Sequence, residues 1–332
     1  MSANYSNGHL IPIFLFSLPR SGSTLSQRII GSHSDVATAN EPHFLIPMFY
    51  ALKDNDVRST YNHFYSAQAI QDFCGYLPNG VNDYYEELHE LALHLYAKAA
   101  PHKAKYFLDK TPKYHLISEE IIRIFPEAKI IFLWRNPLAI ISSIIETWGG
   151  GEWNVYHFKI DLFQGLDNLV NSFKKHAGQA YAFHYEDALL NPVETWRKVF
   201  TYLDLPFDPA VLTKFSQVHL TGRITDPNSS MAEFQTINQQ PLEKWKKVVN
   251  TPMRIAWCQN YLKWIGQERL SVMGYDLETL LAELHSLPVS WHHLGKDIYK
   301  IPLGKAYHVL ELQLMKEKYL TWKHGKRIYM HN

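Results

Sequence analysis

The first chemistry in the chain lies in seven residues, Pro19-Arg20-Ser21-Gly22-Ser23-Thr24-Leu25, which follow an apolar run over Ile11–Ser17 and lead into a helical pattern over Thr24–Gly31. Strand, small-residue loop and helix N-terminus together cradle phosphate-like anions, because loop amides point at the anion and the helix dipole favours negative charge. Gly22 lets the backbone approach closely, and Ser21, Ser23 and Thr24 add hydroxyl donors. The loop is not a Walker A motif: no Lys follows the glycine, and the cation is Arg20, ahead of the turn. A second anion site follows from Lys129–Trp134, which reads as a buried strand ending in Arg135-Asn136-Pro137, with a helix after it carrying Ser142 and Ser143. An Arg at a strand end beside a helix N-terminus holds an anion by the same physics. Two such sites suit a ligand with two separated phosphates, and plain ATP would not need the second.

These residues require elements that bring strand ends together. Strand-length apolar runs at 11–17, 36–39, 105–108, 129–134 and 181–184 alternate with helical patterns at 24–31, 115–125, 138–148 and 192–203. Such alternation predicts an α/β fold with a P-loop-type central parallel sheet flanked by helices. A helical insertion spans about 44–104 and holds a strongly periodic helix near Asp83–Ala100. Beyond residue 205 the strand signal fades, residues 219–241 read as a long functional loop, and 242–285 read mainly as helix. The expected organisation is one α/β domain over 1–285 and a basic helical C-terminal extension over 286–332. That extension carries Lys296, Lys300, Lys305, Lys316, Lys318, Lys323, Lys326 and Arg327 against Asp297, Glu311 and Glu317. The pattern fits a solvated helix face or a docking surface for an anionic partner.

Composition narrows the classes. With 46% hydrophobic and 20% charged residues the chain of 332 residues is an ordinary globular sequence, which excludes a disordered one. A formal net charge of +1 provides no global attraction to nucleic acid. No apolar run approaches the roughly 20 residues of a membrane span, and Met1–Leu10 lacks a leader pattern. Cys74 and Cys258 cannot build a disulfide framework and read as reduced thiols, so a cytoplasmic protein is expected. The 18 histidines show no ligand spacing, since His89 and His94 leave one helical face and His292 and His293 are adjacent; no metal is expected. The aromatics around Gly149-Gly150-Gly151, namely Trp148, Trp153 and Tyr156, fit a mobile acceptor-side loop or core aromatics flanking a turn.

Pro-Arg-Ser-Gly-Ser-Thr-Leu after a first apolar strand resembles the 5′-phosphosulfate loop of the sulfotransferases that use 3′-phosphoadenosine-5′-phosphosulfate (PAPS). The resemblance extends across much of 11–250 and is greatest to the branch with protein-tyrosine sulfotransferases and related bacterial enzymes. It implies that Arg135 and Ser143, eight residues apart, hold the 3′-phosphate, although the Arg that often follows four residues later is Thr147 here. The stretch Gly31–Pro42 resembles the segment whose last Glu is the general base, which implies that role for Glu41, with His43 as the competing base. Lys110 matches a family Lys near the sulfuryl group, Tyr185 a Tyr that touches the nucleotide, and Lys244 a late Lys near the 3′-phosphate. Arg20 is then expected at the 5′-phosphate and its bridging oxygen. The implied reaction is metal-free sulfuryl transfer to a hydroxyl acceptor, whether glycan, tyrosine or small molecule.

Two rivals belong to other classes. A P-loop kinase or NTPase would bind Mg-ATP, and Asp109, at the end of an apolar run, imitates a Walker B acid. A degenerate nucleotide-binding scaffold would bind 3′,5′-ADP without turnover. The oligomeric state is open, a homodimer being one arrangement the sequence allows.

Overall fold

The computed structural model describes residues 10–55, 57–59, 61–101, 103–220, 222 and 236–325. Lys326, Arg327 and most of the expected 219–241 loop lie outside the described residues. By contact density the chain divides into two compact units, Met1–Trp134 with Asn168–Asn238, and Arg135–Asp167 with Gln239–Asn332.

The first unit holds the whole sheet. Five strands, β1 (Ile11–Phe16), β2 (Val36–Thr38), β3 (Tyr106–Asp109), β4 (Lys129–Trp134) and β5 (Ala180–His184), lie in the order β2-β3-β1-β4-β5, all parallel. Near-continuous apolar runs form β1 and β4 because both faces of a parallel sheet are covered by crossover helices. Register then decides what meets what. Thr38 pairs with Leu108 and Phe14 with Asp109, so the segments leaving β1, β2 and β3 emerge side by side at one end of the sheet. In open parallel sheets ligands bind at these carboxyl ends.

The insertion folds as three helices, Leu45–Tyr50, His63–Cys74 and Val81–Ala99. The Asn62 side chain caps the second by accepting from the Tyr65 amide at 3.3 Å. The third buries Leu88, Ala92 and Tyr96, one apolar stripe at helical spacing. Two elements depart from the sequence expectation. In place of one helix over 115–125 there is a 3₁₀ turn, Pro112–Leu116, and then a helix, Ser118–Ile124, separated by Ile117 with non-helical φ/ψ of −138° and 22°. A short helix, Tyr185–Leu190, directly follows β5, where no element was expected between the strand and the helix that forms over Pro192–Tyr202.

The second unit is helical: Pro137–Gly149, Gln240–Val248, Pro252–Val272, Leu277–His285, Leu294–Val309 and Leu312–His324. A buried ion pair organises it. Arg254 Nε donates to Asp297 Oδ2 at 2.9 Å and Nη2 to Oδ1 at 3.0 Å. The same guanidinium donates to the Val248 and Gly151 carbonyls at 2.8 and 2.9 Å, and Thr251 Oγ1 donates to Asp297 at 2.7 Å. The fork thus ties two helices to the glycine turn. Trp153 is buried against Trp257, whereas Trp148, though stacked on Phe158 at 4.7 Å, is 42% exposed, so the turn carries one packed and one exposed tryptophan.

Removing one member of such a pair strands the other charge in the interior, at about 3–5 kcal/mol. Arg254→Ala is therefore expected to lower stability by about that amount in chemical denaturation. A change below about 1 kcal/mol would show that the pair organises nothing.

Candidate active site

The anion loop has a strained, fixed shape. Arg20 and Gly22 have φ of 67° and 91°, and the Ser21 amide donates to the Leu18 carbonyl at 3.3 Å. The Ser23–Gly31 helix starts immediately after, with no acidic residue in its first turn to compete for an anion. Ser21, Ser23 and Thr24 are buried there, and the Ser17 hydroxyl at the end of β1 is buried without a hydrogen-bond partner. Cation, hydroxyls and helix N-terminus form a donor set suited to a phosphate or phosphosulfate oxyanion. The Tyr185 ring lies on Gly22: a Cβ built there would fall 2.2 Å from Tyr185 Cδ2. The structure thus places the Tyr185 ring against the loop.

At the ends of β2 and β3 a carboxylate and an ammonium meet. Lys110 Nζ donates to Glu41 Oε1 at 2.6 Å, with side-chain exposures of 2% and 13%. His43 Nε2 lies 3.4 Å from Glu41 Oε2. Burial raises the Glu41 pKa, but the His43 hydrogen bond and then the Lys110 charge and hydrogen bond outweigh it, and the net pKa is lowered. Glu41 therefore stands ionised at neutral pH, able to accept a proton. Both Glu41 and His43 have positive φ, at 21° and 59°. Gln27 holds the approach to this segment, its Nε2 donating to Thr38 Oγ1 and to the Ala39 carbonyl, both at 2.8 Å.

Beneath the pair lies a group whose role the sequence did not disclose. Asp109 is fully buried and both its oxygens are engaged: Tyr96 and Tyr114 hydroxyls donate to Oδ2 at 2.7 and 3.0 Å, and Thr111 Oγ1 donates to Oδ1 at 3.0 Å. Thr111 Oγ1 in turn accepts from the His43 amide at 3.4 Å. The resemblance of Asp109 to a Walker B acid thus reflects a structural carboxylate that anchors the segments around Glu41. The strand-end position was visible in the sequence, but the hydroxyls of Thr111 and Tyr114, within five residues, and of Tyr96, thirteen residues back on the insertion helix, converge on it only in the folded chain. Among the described residues no three His, Cys, Asp or Glu side chains converge as metal ligands do.

In the second unit Arg135 is buried just before the Pro137–Gly149 helix, whose Asn136 cap accepts from the Leu138 amide at 2.9 Å. Ser143 is half-buried on that helix. Lys244 pairs with Glu146 at 3.0 Å, and Glu146 sits one turn beyond Ser143, so Lys244 lies on the face that carries this serine.

Residues 12–209 match the Sulfotransferase family model. A protein-tyrosine sulfotransferase of Drosophila melanogaster is 25% identical over 291 residues, 82% of this chain and 53% of that protein. The nodulation protein NoeE of Sinorhizobium fredii is 30% identical over 292 residues, 79% of this chain and 65% of that protein. The chain thus spans between half and two-thirds of the length of these two relatives. Among solved structures, the sulfotransferase domain from the curacin biosynthetic pathway superposes with a TM-score of 0.55 at 24% identity, over 80% of this chain and 98% of that one. The α/β fold expected from the sequence is the fold of that domain.

Two outcomes follow from this geometry. Burial raises the Asp109 pKa to about 6, although its three hydroxyl donors oppose this. Between about pH 4, the usual aspartate value, and pH 6 the folded chain keeps a proton that the unfolded chain has lost, so this group's contribution makes stability fall as pH rises. Asp109→Asn should remove that component, read as a flatter difference in denaturation midpoint between pH 4.5 and 6.5; an unchanged profile would mean that Asp109 does not titrate there. Gly22→Ala should displace the Tyr185 ring or distort the loop and weaken 3′,5′-ADP binding at least about tenfold, a loss of about 1.4 kcal/mol, by calorimetry, whereas unaltered binding would show that the contact does not shape the loop.

Proposed function

The chain belongs to the sulfotransferase family, and from that premise we propose that it transfers a sulfuryl group from PAPS to a hydroxyl acceptor, with Glu41 as general base. The observation that carries this reading is the ionised Glu41 paired with buried Lys110, at the same end of the sheet as the anion loop. PAPS supplies the activated sulfuryl group on its 5′-phosphate when bound. Glu41 takes the acceptor hydroxyl proton as the new S–O bond forms and the S–O bond to the phosphate breaks. The electron pair leaves with the phosphate oxygen of 3′,5′-ADP. Arg20 and the loop amides stabilise the charge that grows on that oxygen. Lys110 starts paired with Glu41; once Glu41 is protonated the pairing weakens, and the ammonium charge is released toward the transferring group. Gly22, Ser21, Ser23 and Thr24 cradle the 5′-phosphate, Tyr185 braces the loop from the nucleotide side, and Arg135 and Ser143, with Lys244, take the 3′-phosphate. No step in this scheme calls on a metal.

The acceptor class is a hydroxyl. A glycan, a tyrosine peptide and a small phenol or alcohol are the candidates, and one relative is named for tyrosine.

The test is calorimetric titration with 3′,5′-ADP and with ATP plus Mg²⁺, followed by turnover assays with labelled PAPS. Binding of 3′,5′-ADP that is lost in Arg135→Ala is expected; Mg²⁺-dependent ATP binding with none of 3′,5′-ADP would point to a kinase, and tight 3′,5′-ADP binding without turnover on any acceptor to a scaffold. Glu41→Gln should cut kcat by about 10²–10⁴-fold while leaving 3′,5′-ADP affinity in place. Because Glu41 has a lowered pKa, the acidic limb of kcat/KM should lie below the ordinary glutamate range. His43→Ala removes one of the interactions that lower it and should move that limb to higher pH; an unmoved limb would separate His43 from the base.

A further inference from the structure

The basic C-terminal extension ends, within the described residues, in a helix whose outward face is not that of a merely solvated one. On Leu312–His324 the exposed side chains include Met315, Tyr319 and Trp322, at 61%, 55% and 80% exposure. At 100° per residue Tyr319 lies about 40° to one side of Met315 and Trp322 about 20° to the other, one apolar stripe. Exposed lysines flank it, Lys318 about 60° from Met315 on one side and Lys323 and Lys316 about 80° and 100° away on the other. Glu317, the helix's only acid, is buried and points to the opposite side. The preceding helix, Leu294–Val309, exposes Ile298, Tyr299 and Leu303 as well. The sequence adds Lys326 and Arg327 just beyond.

We propose that the outer face of the Leu312–His324 helix docks on an anionic lipid surface, lying in the plane of the interface without crossing it. Three observations select this occupant. Trp and Tyr have an apolar body and a polar edge, which suits the boundary between headgroups and acyl chains. Lysines on both flanks of the stripe can lay their stems along it and raise their ammonium groups to anionic headgroups. A second copy of the chain is disfavoured, since two-fold pairing would set lysine against lysine, and a stripe of three side chains falls short of the roughly 800 Å² per partner of a standard interface. Among the described residues no helix is long and apolar enough to cross a membrane, so the contact is peripheral. This contact uses none of the residues assigned to the proposed transfer chemistry. A membrane-bound hydroxyl acceptor would be the natural beneficiary.

The experiment is flotation of the full chain with phosphatidylcholine vesicles, with and without phosphatidylglycerol. The chain is expected to float only with the anionic vesicles, and less at high salt. Trp322→Ser and the triple change Lys316→Glu, Lys318→Glu, Lys323→Glu should each remove it, the second by about a hundredfold in partition. Both variants alter exposed positions, and unchanged 3′,5′-ADP binding and thermal midpoint establish that they fold. Absence of flotation, flotation that survives both variants, or a Trp322-dependent dimer in light scattering would each overturn the proposal, the last by assigning the face to a second copy.

Discussion

A lysine ammonium placed in the interior at the end of β3 is the constraint on which the site depends. Lys110 is almost wholly buried, and a buried charge is tolerated only when it is paired and hydrogen-bonded. Glu41 meets that need, but Glu41 lies on a different segment, so the pair can form only if the ends of β2 and β3 are held in register. Thr38 supplies part of the hold by donating to the Leu108 carbonyl at 2.8 Å, and Gln27 reaches the same place from the helix after the anion loop. The helix after the anion loop and the carboxylate segment are thereby joined by hydrogen bonds, not just by proximity. Asp109 is the second buried charge, and three hydroxyls from elements before and after it satisfy it. Each group is expensive alone, and together they leave few other arrangements in which all are satisfied.

That economy explains why the insertion is part of the site's foundation although its sequence reads as a mere helical decoration. Tyr96 comes from the Val81–Ala99 helix, stacks on Phe107 at 4.5 Å and sends its hydroxyl to Asp109. Phe44, just after the Glu41 segment, packs edge-on against the same ring at 5.4 Å. A tyrosine on an apolar helical stripe looks like any core aromatic. Its hydroxyl acquires meaning only when the carboxylate it faces is known, and that pairing depends on tertiary structure.

The sheet was legible for the opposite reason. All five strands appear within a residue or two of their apolar runs, because burial on both faces of a parallel sheet imposes an unbroken local pattern. The anion loop was legible because a strand, a glycine with positive φ and a helix start follow one another in the chain. Glu41 and Lys110 were picked out by resemblance to a family. Their 2.6 Å contact is a product of register between strands separated by about seventy residues. The 115–125 helix was misread because Pro112 begins a 3₁₀ turn that carries Tyr114 to Asp109, and the chain restarts as a helix only after Ile117. The helical periodicity holds from Ser118 to Ile124 and gives way before it to a hydrogen bond that spans five residues.

Backbone strain is concentrated in the same place. Among the described residues five non-glycine residues have positive φ, and three of them are Arg20, Glu41 and His43. Each such residue costs on the order of 1–3 kcal/mol and persists only where its surroundings over-determine it. Glycine at any of the three would relax the backbone at once. It would also delete the guanidinium ahead of the anion loop, the carboxylate on Lys110 or the imidazole on that carboxylate. The strain therefore falls on residues where the side chain is the reason for the residue. The hydrogen bonds of Gln27, Thr38 and Thr111 brace the Glu41–His43 part of it, and the turn from Ser21 to Leu18 braces the loop. A fold selected for stability alone would have no use for this combination, whereas one that must hold a cation, a carboxylate and a helix N-terminus in fixed places does.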